Sequence, residues 1–528
     1  MNKTRQSLFK EVIVVLSLIV LAFGIRLFFL QFKQAIGTDS YFYLTCGKNL
    51  IEGKGFVNMD GSAHLTFAPL ASFIIGVFYL ITNNLELSGR LVSVLFGSLL
   101  ILPVYLIAKT MRDTKIAVLT SVFSVFYPGL INISTQVGSD SLYSFLLAWL
   151  VYYFWKALNK KDRDWVYFVY VGALLGLCYL TRAVGLIYFF IIILWLITFF
   201  LIKRINFIHA AKNIFVCLFA FVAIASPYFY FTYRHTGTVS LSPNAGIWLN
   251  MDVSKSEEEI EIAKTSITGK EQYKTDNSFN LMSYFIKYPK AFSLRVIKNN
   301  LLYYKKVVPK EFTPLILIFL GLGILGLVFN KERFFKDVFI VSLFFPVSFQ
   351  ILWNLEPRYL IPLMPYAMIF VASGLYYLKD NFLNTVEISK RLRSAIFLLM
   401  AGIIIALFFL SSINSVILNS NDGTIEHKKA GLWLKNFDHS HFVVMARKPY
   451  VSFYSEGLWV CLPYADYSEI IRYAKKNNIK YLVIVELSIL KLRPQLAFLL
   501  DENKATSDLK LIYKDHSSGR LIIIYQLL

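Results

Sequence analysis

Apolar runs of about 16 to 22 residues recur along this 528-residue chain, each near the length that crosses a bilayer's hydrocarbon core. A chain patterned this way has few folds open to it. In lipid every backbone amide must find its partner within the protein, which leaves a bundle of membrane-spanning helices. Composition agrees, with only 16% charged residues against the roughly 25% of soluble domains. The 47 Phe and 32 Tyr suit side chains that face lipid and the lipid–water interface.

Spans are expected near 11–30, 87–108, 115–131, 141–157, 165–180, 183–202, 213–231, 314–329, 337–353, 359–378 and 394–413. The first follows Lys3, Arg5 and Lys10 and has no small-residue cleavage site after it, so a retained span is expected. Segment 68–83 is apolar but short and opens with Pro69; counting it and similar stretches allows 11 to 13 spans. Positive residues orient the bundle. With a cytoplasmic N-terminus and 68–83 not crossing, five loops holding 17 Lys and Arg fall inside, and the short outer loops hold two. The opposite choice inverts every later loop. The net charge of +21 is thus spread over loops that set orientation, not gathered into the single basic face that nucleic acid requires.

Two loops outside the membrane are long, about 31–67 and 232–309, and loops of that length are usually functional. The KYPKAF and NNLLYYKK stretches of the second read as amphipathic helices lying on the membrane. After the core, 1–413, the pattern changes to short alternating runs. HFVVMAR, KYLVIVE and RLIIIYQ read as strands, HKKAGLWLKNF and SEIIRYAKKNN as amphipathic helices. A small soluble α/β domain with a mixed sheet is expected over 414–528, outside the membrane. Its His439 and His441 lack a second ligand pair and read as a solvated loop. Cys46, Cys178, Cys217 and Cys461 stand far apart without CxxC spacing, and are expected as small buried hydrophobes.

Charge near a span is costly and therefore informative. Asp39, Asp140, Arg182 and Arg358 all fall at outer span ends or in outer loops. Singly, each could anchor a helix end at the interface. Asp140 could cap the helix it opens, and Arg358 could pair locally with Glu356. Two acids and two arginines on one face form a candidate site.

These residues lie in stretches that resemble the GT-C class of membrane glycosyltransferases, near its protein O-mannosyltransferase and lipid A aminoarabinose transferase branch. The likeness is carried by GTDSYFYLTCGKNLIEGKGF, HLTFAPL, SGRLVSVLFGSLLILPVYLIAK, PGLINISTQVGSDSLYSFLLAW with LTRAVGLIYF, and EPRYLIPLMP. The resemblance implies inverting transfer of a sugar from a polyprenyl-phosphate carrier to a lipid, glycan or protein acceptor on the non-cytoplasmic side. It implies Asp39 as general base or acceptor-orienting acid, with Asp140 as a second catalytic acid. Arg182 and Arg358 would grip the donor phosphate, Tyr359 would add a hydroxyl donor, and His64 could contact substrate. A divalent cation, Mg or Mn, on Asp39 and Asp140 is implied only for some members. Many relatives have Asp-Glu where this chain has Asp39-Ser40, which leaves a second acid there without a counterpart. A transporter or flippase of lipid-linked sugars is the alternative, though no inverted repeat is visible between the halves. A non-catalytic scaffold for the tail would have no use for Asp140 and Arg182.

Overall fold

The computed structural model describes residues 3–160, 164–238, 261–262, 265, 285–286, 288–329, 333–351, 356–383, 385, 389–418, 425–504 and 506–528. The expected membrane-helical bundle with a small C-terminal sheet is what forms. Among the described residues seven helices are long and apolar enough to cross a membrane, or up to nine if each of two bent pairs is one span. One pair, Thr114–Phe126 with Pro128–Ser134, bends by 56° where Pro128 interrupts the expected 115–131 span. The other joins Pro289–Glu311 to Pro314–Leu325 at 106°. The two remaining expected spans differ in kind. Residues 141–157 lie in the Asp140–Asn159 helix, which is rich in aromatics and largely buried among its neighbours. The described part of the expected 337–353 span falls on two short helices, Phe334–Ser342 and Phe345–Gln350.

Contacts at the helix ends show how the chain threads. Lys109, near the end of the Leu85–Met111 helix, pairs with Glu11 near the start of the first helix. At the other end Arg90 donates to the Lys33 and Ala35 carbonyls just past Leu30. The two helices are therefore antiparallel. The Pro69–Thr82 helix between them leaves the chain on the face where the first helix delivered it and does not carry it to the other end of the bundle. It lies instead against the Thr38–Ile51 helix, and glycines allow the approach: a Cβ on Gly47 would sit 2.5 Å from the Ser72 carbonyl.

Asp39, Asp140, Arg182 and Arg358 gather at the face where Arg90 lies, and the C-terminal domain covers that face. Its mixed five-stranded sheet has the order β2-β1-β3-β5-β4, with β1 (Val443–Ala446), β2 (Leu458–Cys461), β3 (Tyr481–Val485), β4 (Leu509–Asp515) and β5 (Ile522–Leu527). β1 is parallel to β2 and β3, while β5 is antiparallel to β3 and β4. Alternate residues of β1, β3 and β5 feed two apolar layers, one holding Met445, Leu482 and Ile523 and the other Val444, Val483 and Ile524. The three expected strands and both expected helices are present; β2 and β4 are additional.

The domain is not loosely tethered. Tyr450 and Tyr454 are buried within the core cluster of the membrane bundle. The Tyr450 hydroxyl bonds Thr38 Oγ1 at 2.6 Å, and Ile36 N donates to the Tyr454 hydroxyl at 3.0 Å. Lys428 pairs with Glu86 at 3.0 Å. Phe453 and Trp459 pack edge-on against Tyr41. Much of the second long loop, 239–260 and 266–284, lies outside the described residues. Its Glu261 is gripped by Arg447 through two guanidinium nitrogens and lies 2.9 Å from Arg493. NNLLYYKK and the PKAF of KYPKAF lie in one helix, Pro289–Lys306, with Tyr288 at its N-cap; Lys287 is not among the described residues. It buries Asn299 and Tyr303 and exposes Leu294, Ile297 and Leu301, an amphipathic arrangement.

Candidate functional site

Asp39 occupies the first turn of the Thr38–Ile51 helix, whose start is fixed by its neighbour Ser40. Ser40 Oγ accepts from Gly37 N at 3.2 Å and donates to the Val137 carbonyl at 2.8 Å. Three residues on, the Tyr43 hydroxyl bonds Ser139 Oγ at 2.9 Å. Burial pushes Tyr43 up to about 12, so it stays a neutral hydroxyl at physiological pH. These bonds stitch the turn carrying Asp39 to the turn carrying Asp140. Ser40 thus serves as a strut.

Asp140 does not cap its helix as expected. Ser139 takes the cap position, and the Asp140 carboxylate turns to Arg182 and pairs with Nη1. Arg182 stands in extended backbone at the break between the Asp164–Thr181 helix and the 3-10 turn Ala183–Leu186. Gly185 closes that break: its N–H bonds the Arg182 carbonyl, and a Cβ there would lie 2.8 Å from Cys178 C. The guanidinium also lies 5.9 Å from the Tyr143 ring centroid.

Arg358 belongs to a 3-10 turn, Pro357–Tyr359, that leads into the Met364–Leu378 helix. The Pro289–Lys306 helix props this segment. Asn299 Nδ2 donates to the Ile351 carbonyl at 2.9 Å, and the Tyr303 hydroxyl donates to the Glu356 carbonyl at 3.3 Å. From there Arg358 Nη1 reaches Asp39 Oδ2 at 3.0 Å.

The site is therefore two acid–arginine pairs that differ in exposure. The side chains of Arg182 and Asp140 are 17% and 18% exposed, those of Arg358 and Asp39 37% and 42%. The first pair is held in place. The second is open to an incoming group and is weak, as exposed pairs are. Arg358 also keeps a buried Nε without a hydrogen-bond partner among the described residues. An oxyanion placed between the pairs would meet two guanidinium groups whose donors are not exhausted. Tyr359 adjoins Arg358 on the same turn, partly buried.

His64 is placed differently. Its Nδ1 bonds Asn58 Oδ1 at 2.7 Å and its Nε2 accepts from Phe67 N at 3.2 Å. Phe42, Phe56 and Phe67 surround the ring, and burial pulls its pKa down to about 4. Both nitrogens are committed to holding the 56–67 turn, with none left for a substrate. Cys46, Cys178 and Cys217 are buried free thiols, while His439 and His441 are exposed in the 438–442 loop.

No group of three or more His, Cys, Asp or Glu converges among the described residues, and Asp39 and Asp140 each carry a guanidinium. Sequence reasoning passed over Arg26, fully buried in the first helix and bonded to Ser134 Oγ at 3.2 Å. Its position inside an apolar run was the available signal. Nothing local marked Ser40, Tyr43 or Ser139 as struts.

Residues 66–231 match the family model described as dolichyl-phosphate-mannose-protein mannosyltransferase. No curated protein matches the chain in sequence. Among solved structures, the fold is similar to the archaeal oligosaccharyltransferase AglB from Archaeoglobus fulgidus in complex with an inhibitory peptide and a dolichol-phosphate. That match has a TM-score of 0.60 at 15% identity and covers 92% of this chain and 70% of that one. ArnT from Cupriavidus metallidurans bound to undecaprenyl phosphate superposes with a TM-score of 0.58 at 14% identity, over 97% of both chains. The same protein in the apo state gives 0.60 at 13%. The chain therefore shares the overall fold of ArnT and AglB, and residues 66–231 match the mannosyltransferase family model.

Proposed function

We propose that this protein transfers a glycosyl group from a polyprenyl-phosphate donor to an acceptor, with inversion, on the non-cytoplasmic face of the membrane. The observation that carries the proposal is the accessible Asp39–Arg358 pair beside the fixed Asp140–Arg182 pair. An acceptor hydroxyl within reach of Asp39 attacks the anomeric carbon as the bond from that carbon to the phosphate oxygen breaks. Its proton passes to the Asp39 carboxylate. Negative charge grows on the departing phosphate, where Arg182 and Arg358 are placed to receive it and Tyr359 can donate. Asp140 works through Arg182, holding the guanidinium in position. The phosphate-binding relatives of the same fold support a polyprenyl-phosphate donor, and the peptide held by AglB supports a peptide among the candidate acceptors.

The test offers membranes containing the protein a panel of radiolabelled polyprenyl-phosphate sugars. At least one sugar is expected to move into a new glycosidic bond with release of polyprenyl phosphate, and Asp39→Asn is expected to abolish that transfer. Label that accumulates inside proteoliposomes without a new bond would point to a flippase.

A further inference from the structure

The C-terminal domain does more than cover the site; it inserts a segment beside Asp39. Residues Arg447 to Tyr450 follow directly on the carboxyl end of β1, the end at which parallel strands commonly present binding groups. The segment is pinned twice. Arg447 grips Glu261 of the second long loop, and Tyr450 bonds Thr38, the residue preceding Asp39. Lys448 sits between the pins, half-buried, with no hydrogen-bond partner for its ammonium among the described residues. Burial is the largest influence on that ammonium and Arg447 adds to it, both lowering its pKa; Glu261 and Asp39 act in the opposite sense.

Charge counting sharpens the point. Asp39 and Asp140 are matched by Arg358 and Arg182, so those four sum to zero. Glu261 neutralises only one of Arg447 and Arg493. Among the described residues Lys448 is thus a further cation beyond a balanced site, with its ammonium available to an anionic group. Its position says which ligand. Inversion places the attacking hydroxyl and the departing phosphate on opposite sides of the anomeric carbon, so the Asp39 side is the acceptor's side. Arg358 approaches Asp39 from the membrane bundle, whereas Lys448 comes from the soluble domain.

We infer that Lys448 is an acceptor-binding residue, whose ammonium holds an oxyanion carried by the acceptor near the hydroxyl that Asp39 deprotonates. This rests on the transferase reading above. It makes the natural acceptor an anionic one, bearing a phosphate or a carboxylate, and it gives the C-terminal domain a direct part in choosing it.

The experiment uses the full chain in nanodiscs and native mass spectrometry, with wild type, Lys448→Met and Lys448→Arg. Acceptor-side probes are octyl glucoside, octyl glucoside 6-phosphate and octyl glucuronide; donor-side probes are undecaprenyl phosphate and undecaprenol. Wild type should bind one anionic glycoside at least roughly tenfold more tightly than octyl glucoside, the scale of one charge-assisted hydrogen bond. Whether phosphate or carboxylate wins identifies the group. Lys448→Met should erase the preference, Lys448→Arg should keep part of it, and undecaprenyl phosphate should bind all three alike, which also reports that the fold survives. The inference is overturned if wild type shows no preference for either anion, or if the preference survives in Lys448→Met. It is overturned equally if Lys448→Met weakens undecaprenyl phosphate instead, which would place Lys448 at the donor. Wild type binding undecaprenyl phosphate no better than undecaprenol would count separately, against the transferase reading itself.

Discussion

Two carboxylates at the same face have been given different work by their surroundings. Asp39 is paired with Arg358 in the open, so replacing it disturbs little else. Asp39→Asn should change folding stability by less than about 1 kcal/mol, the worth of an exposed ion pair, while removing the roughly 10²–10⁴-fold that a positioned base contributes. Arg182 is a contrasting case. Arg182→Met leaves Asp140 with a mostly buried, uncompensated charge and should cost about 1–3 kcal/mol as well as activity. Thermal unfolding in detergent, run beside an activity assay, separates the two; equal destabilisation by both variants would contradict the distinction. The four charged residues were legible in the sequence because charge next to apolar runs is rare. Their pairing was not. Arg358 and Asp39 are 319 residues apart, and the bland local alternative, Arg358 with Glu356, looked as reasonable until the fold brought Asp39 to it. His64 was similarly ambiguous, since nothing in its flanking residues reveals that Asn58 and Phe67 use both its nitrogens.

At the scale of elements, the Thr38–Ile51 helix holds Asp39 by resting on the Pro69–Thr82 helix. Gly47→Val would drive a branched side chain into the Ser72 backbone, and overpacking of that kind costs about 1–3 kcal/mol. Transfer should fall with stability, because the same displacement moves Asp39 away from Arg358. The loop that follows carries its own acid sensitivity. His64 has a pKa near 4 when folded, depressed below the ordinary histidine value of 6.5, so only the unfolded state takes up a proton between those values. His64 therefore contributes full stability above about pH 6.5, less as pH falls towards 4, and no further change below. Denaturation midpoints measured across that window should flatten in His64→Gln, even though the variant is less stable throughout; an unchanged slope would contradict a buried neutral His64. Strands β1, β3 and β5 were legible from their β-branched runs, whereas β2, Leu458–Cys461, holds a single β-branched residue, Val460. The long spans were legible from length alone, but 337–353 was not, because hydropathy does not register the break between Ser342 and Phe345.

For the molecule as a whole, the pairing of Glu11 with Lys109 at one end and Arg90 with the Lys33 carbonyl at the other sets the sense of the first two long helices. The positive-residue asymmetry makes the domain-bearing face the expected outer one. Cysteine placed at exposed Ser62 should react with a membrane-impermeant maleimide on intact cells, and cysteine at exposed Thr385 only after permeabilisation. The reverse pattern would put the site in the cytoplasm. How the C-terminal domain meets the bundle could not be read from sequence at all. Tyr450, Tyr454 and Lys428 look like ordinary residues of a small α/β domain, and only the folded chain sets them against Thr38, Ile36 and Glu86. In the proposed mechanism Asp39 drives bond formation and not merely binding or transport. The most direct measurement follows, in purified wild type and Asp39→Asn, the release of polyprenyl phosphate together with the anomeric configuration of the product. Wild type should release one polyprenyl phosphate per glycosidic bond of inverted configuration, and Asp39→Asn should give neither product. Retained configuration, or undiminished release by Asp39→Asn, would contradict it.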